Sequence, residues 1–149
     1  VLLDPLHLLA GLAIAVVAAA LVSRLRRRRR SGRLASLAAA SGWMFSHEDR
    51  FDLAPRIAGL ALDPGAADVV VNDVLYHRDE GGVAFVFSVH YTLGVIRSRR
   101  RVHRVAAVRE GPRDRVQVAI ADPSLAASEQ YRGLVERLSA AAATPSASR

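Results

Sequence analysis

Cysteine is absent from the 149 residues, which excludes disulfides, thiolate metal sites and cysteine nucleophiles together. Lysine is absent as well, since all 21 basic residues are arginine. That removes the Walker A phosphate loop, whose lysine reaches the phosphates, along with Schiff-base and pyridoxal-phosphate chemistry. Aromatic residues are 5% of the chain, and they do not interleave with the arginines as base-stacking platforms would. No G-x-S-x-G, H-E-x-x-H or G-x-G-x-x-G motif occurs. The expectation is a protein that is not an enzyme and holds no cofactor.

Charge is plentiful but unevenly placed. Of the formal net charge of +7, most comes from Arg24, Arg26, Arg27, Arg28, Arg29, Arg30 and Arg33. From residue 34 onward, 14 arginines face 13 acids. A nearly neutral C-terminal region gives no field for general nucleic-acid binding, so nucleic acid is not expected as a partner.

Ahead of that arginine block, residues 6–22 carry no charged side chain, and nine of the seventeen are Leu, Ile or Val. A helix over residues 6–23 reaches roughly 27 Å, near the lower limit for crossing a bilayer core. Those nine side chains favour insertion by about 3–5 kcal/mol. Asp4 and Pro5 suit an N-cap and first helical position. A signal peptide carries its positive charge before the apolar stretch, whereas here the arginines follow it. The positive-inside rule then predicts an uncleaved plasma-membrane anchor, N-terminus outside and later residues cytoplasmic. Gly11, Ala15 and Ala19 recur every four residues, a spacing that lets a second helix approach closely. The arginine block sets topology and meets anionic lipid headgroups at the membrane surface.

Beyond the block, residues 34–41 form an alanine-rich helix that Gly42 stops, either extending the anchor or turning at Ser31-Gly32. Trp43-Met44-Phe45 reads as a short strand or a packing anchor, and residues 47–57 as a helical turn or two. Ser46 and Asp49 fit its S-x-x-D cap. A strand beginning at Val69 is joined by Asp79-Glu80-Gly81-Gly82 to a second, in which Val83, Phe85, Phe87, Val89 and Tyr91 share one face. This well-patterned strand is expected at the sheet centre. A third strand spans residues 99–109, and Val116, Val118 and Ile120 mark a fourth. Tyr131, Leu134, Val135 and Leu138 give a helix over residues 125–142 its apolar stripe. The fold class is α+β: one N-terminal transmembrane helix, then a four-stranded antiparallel sheet with helices on one face. Residues 1–30 form the anchor, 31–142 a cytoplasmic domain and 143–149 a polar, flexible tail.

Two further groups invite a role. Arg97, Arg99, Arg100, Arg101 and Arg104 either grip an acidic partner or lipid headgroup, or protect an exposed strand edge with charge. His77, His90 and His103 fall on neighbouring strands, but zinc sites need three or four converging ligands, so no metal is expected.

The order of Gly42-Trp43 after an alanine-rich helix, an acidic stretch ending near Pro55, Asn72-Asp73-Val74-Leu75 and Phe85-Val86-Phe87-Ser88-Val89-His90-Tyr91-Thr92 resembles that of small single-pass actinobacterial membrane proteins with a β-rich cytoplasmic domain. Accessory subunits of the cytochrome bcc–aa3 respiratory supercomplex are similar in size and layout. The resemblance implies a non-catalytic subunit of the electron transport chain, partnered by other membrane subunits, its cytoplasmic domain covering the inner face of the complex. The chain carries no haem, copper or quinone signature, and those accessory subunits hold no redox centre. The alternative is an independent membrane-tethered module that senses an acidic lipid or small ligand.

Overall fold

The computed structural model describes residues 5–59, 62–94, 98–111 and 116–143, with side chains described between residues 8 and 142. Asp4, Arg97 and the tail residues 144–149 lie outside the described residues. The chain divides into two compact units, Val1–Arg33 and Leu34–Arg149.

The first unit is helical. Helix α1 (Pro5–Ala40) starts at the proline, a residue whose fixed φ suits the first turn. Its window of apolar residues is long enough to cross a membrane and has none of its residues buried within the protein. Leu9, Leu12, Ile14 and Val17 are 59–70% exposed. Their positions step around the helix by about 100° per residue, so the apolar surface faces every direction.

Residues 34–40 of α1 belong to the second unit, so the alanine-rich helix continues α1 without a turn at Ser31-Gly32. Gly42 ends it with a φ of 72°, a left-handed conformation that costs glycine little. The Trp43 N–H donates to the Ala38 carbonyl at 2.8 Å and the Gly42 N–H to Ala39 at 3.3 Å, a Schellman pairing. Trp43 and Ala38 then enter the same apolar cluster.

The rest of this unit comprises β1 (Met44–Glu48), α2 (Leu53–Ile57), β2 (Ala67–Asp79), β3 (Gly82–Leu93), β4 (Arg100–Glu110), β5 (Val116–Ile120) and α3 (Ala127–Ala143). All five strands pair antiparallel in the order β1-β2-β3-β4-β5. The expected four-stranded sheet is therefore corrected to five, and β3 is central. The extra strand is β1: Met44, Phe45 and Ser46 pair with Tyr76, Leu75 and Val74, and Glu48 with Asn72. Residues 47 and 48 are thus strand, not helix. Ser46 donates to the Glu48 carbonyl, so the N–H groups at the start of α2 are met instead by Asp49, three residues before the N-cap Asp52. The Asp49 carboxylate accepts the backbone N–H groups of Phe51, Leu53 and Ala54 at 3.0–3.2 Å.

Helices cover both faces of the sheet, not one. On the first face Leu75, Ala84, Val86, Val105 and Ala107 pack against Leu34 and Ala38 of α1 and Tyr131, Leu134 and Val135 of α3. On the second, Phe85, Phe87, Val89, Val71, Val74 and Ala106 pack under Leu53 and Ile57 of α2. Sheets buried on both sides show near-continuous apolar runs, which explains why Ala84 and Val86 are as buried as Phe85 and Phe87.

Strand β2 holds two irregularities, between Ala67 and Val70 and between Asn72 and Leu75, each admitting one extra residue against β3. An aspartate sits in each with positive φ, Asp68 at 53° and Asp73 at 52°, and aspartate is among the few residues that tolerate this region. The second bulge resets the alternation, so Val71 and Val74 share a face although three residues apart. It also makes a junction. The buried Asp73 carboxylate accepts from His47 Nδ1 at 2.7 Å, and its carbonyl accepts from the Tyr131 hydroxyl at 2.8 Å. Strand β1, strand β2 and helix α3 meet there.

Candidate functional site

On α1, Gly11, Ala15 and Ala19 line one side of the helix and are exposed, with open space where a Gly11 Cβ would stand. Small side chains in a row leave a shallow groove along a helix, which a second helix can enter. Arg24, Arg26, Arg27, Arg28, Arg29 and Arg33 are exposed and Arg30 is half-buried. At helical spacing these seven positions surround the axis as a collar.

The second arginine group does not form one surface. Alternation along β4 sends Arg101 to the α3 face and Arg100 and Arg104 to the α2 face. Arg99 lies 3.8 Å from the Asp68 carboxylate. The Tyr91 hydroxyl donates to Asp63 at 2.7 Å, and the Arg104 guanidinium acts electrostatically on the same phenol. Burial and the Asp63 carboxylate push the Tyr91 phenol above its ordinary pKa, and Arg104 partly offsets this. Strand β5 pairs only with residues 106–110 of β4, so residues 100–104 keep one side of the strand unpaired by it. That position is where charge guards an edge against another strand.

His77 has surroundings of its own, while His90 and His103 are neighbours. His77 stacks on Trp43 with centroids 5.6 Å apart, its Nδ1 3.1 Å from the Gly42 carbonyl oxygen. His90 and His103 face each other across β3 and β4 at 4.4 Å. Two ligands fall short of a zinc set, and among the described residues no group of three His, Cys, Asp or Glu converges.

Sequence patterns missed a cleft of about 460 Å³ in the second unit. Its apolar part is Met44 of β1, Phe51 from the loop before α2, Tyr76 of β2, and Val83 and Phe85 of β3. Phe51 meets Tyr76 at 4.8 Å and 62°, the edge-to-face arrangement that ring quadrupoles favour, and Phe85 at 5.1 Å with a tilt of 57°. Arg56 of α2 and Glu110 of β4 form an ion pair at its rim. Arg78 also lines it, exposed and without an ion-pair partner among the described residues. The cleft draws on five elements and a loop, and no local pattern joins them. The only sequence signal was the excess of aromatics on one face around the β2–β3 hairpin. Compared with known protein families, with curated proteins and with solved structures, the chain shows no match.

Proposed function

We propose that the protein is a non-catalytic, single-pass membrane subunit that packs by its span against a larger membrane complex. One observation carries the reading: the apolar side chains of residues 8–22 are exposed on all sides of α1. In water that surface would drive aggregation; in a bilayer it is the favoured solvent contact. The stripe of Gly11, Ala15 and Ala19 gives the span a docking side, since close packing drives helix association in lipid. The arginine collar sets the orientation, with the sheet domain cytoplasmic. The resemblance in layout makes a respiratory cytochrome bcc–aa3 assembly the first host to test, with the sheet domain covering its inner face.

A lipid-sensing module has weaker support. Its second arginine group divides between two faces, and Arg99 and Arg104 already have partners within the domain.

The test is co-purification in mild detergent followed by mass spectrometry. Ala15→Leu with Ala19→Leu fills the groove while keeping the span apolar, and should release the subunit from its host. Full retention of the double variant on the host would rule out docking through this side.

A further inference from the structure

We infer that the cleft floored by Phe51, Tyr76 and Phe85 binds a small organic monoanion with a flat apolar body, its anionic group on Arg78. The volume of about 460 Å³ falls within the range of small-molecule pockets, about 300–1,000 Å³. Its floor offers ring surface from the half-buried Phe51 and Tyr76, which meet each other over the buried Phe85.

The charges select the sign of the ligand. Glu110 neutralises Arg56, so the pair contributes no net charge to the rim. Arg78, with no ion-pair partner among the described residues, presents a guanidinium, a planar fork that matches a carboxylate in two hydrogen bonds. One free cation beside an aromatic floor fits an arylacetate or similar acid. A cation would meet Arg78 at like charge, and a dianion would find only one partner. The inference goes beyond docking of the span, because every lining residue belongs to the second unit.

Full-length protein in nanodiscs of zwitterionic lipid, titrated with 4-fluorophenylacetate and observed by fluorine NMR, tests the inference. The neutral 4-fluorophenylacetamide serves as the matched control. The acid should bind at least about tenfold more tightly than the amide, the scale of a charge-assisted contact. Arg78→Gln should bring the acid down to the level of the amide, and Arg78→Lys should retain part of the difference. Arg78 is exposed and has no ion-pair partner among the described residues, so both variants should keep the wild-type melting temperature. Met44→Trp, at an exposed position on the cleft wall, should block both probes. Equal binding of acid and amide, an unchanged acid affinity in Arg78→Gln, or no saturable binding of either probe would overturn the assignment.

Discussion

Leu12 in the first unit is 63% exposed, and Leu75 in the second is 0% exposed. On the proposed membrane reading the two units answer different solvents, and the same side chain has opposite surroundings. In the second unit, strand alternation and helical stripes direct apolar groups onto two layers, one on each side of a sheet. In the first, apolar groups point everywhere and none of them is buried by the described residues. A helix apolar all round belongs inside a large core or inside lipid. On the proposed reading, amphipathicity marks where the protein meets water, and its loss at residues 8–22 marks where the protein meets lipid.

The contrast breaks most sharply at the middle of the span. Ile14→Arg with Val17→Arg costs about 2.5–3.5 kcal/mol per arginine, together more than the insertion energy of the segment. The double variant should leave the carbonate-resistant membrane fraction. If it stays integral, the exposed apolar surface is not a lipid surface. The reciprocal change is Phe87→Ala, at a side chain with no exposure in the second unit. It should destabilise that unit by about 3–5 kcal/mol, seen as loss of slow hydrogen exchange in β2–β4, with membrane association unchanged. Loss of both together would mean that the two units do not answer separate solvents.

A smaller effect sharpens the comparison within the second unit. Below about pH 10 the Tyr91 phenol is protonated in folded and unfolded chains alike, so its contribution is complete. Because its folded pKa is raised, the unfolded chain releases the proton first as pH climbs, and the contribution falls away through the folded pKa. Tyr91→Phe should cost about 1 kcal/mol near neutrality. The gap between wild type and variant should narrow as the pH climbs above about 10, through the raised folded pKa. A constant gap across that range contradicts the assigned shift.

Regular elements were legible wherever one period ran unbroken. The apolar face from Val83 to Tyr91 located β3, and Tyr131, Leu134, Val135 and Leu138 located α3. Legibility failed where polar side chains settle the matter. His47 and Glu48 read as a helix start because an edge strand needs no apolar alternation, and Ser46 looked like the cap that Asp49 provides. The bulges at Asp68 and Asp73 hid inside valine-rich stretches, although an aspartate there was the available clue. The arginines of β4 clustered in sequence and dispersed in space, as alternation requires. The cleft was beyond reach, since antiparallel pairing sets Tyr76 beside Phe85 and the loop before α2 brings Phe51 onto both.

The absence of native cysteine permits a direct test of the membrane assignment by single-cysteine labelling. Val17→Cys lies within the apolar segment, and Ser98→Cys at an exposed position just before β4. A thiol in hydrocarbon does not ionise and reacts slowly with a water-soluble maleimide. In membranes, residue 17 should resist labelling until detergent is added, while residue 98 should react in permeabilised cells but not in intact ones. Rapid labelling of residue 17 without detergent would contradict the span, and labelling of residue 98 in intact cells would reverse the orientation.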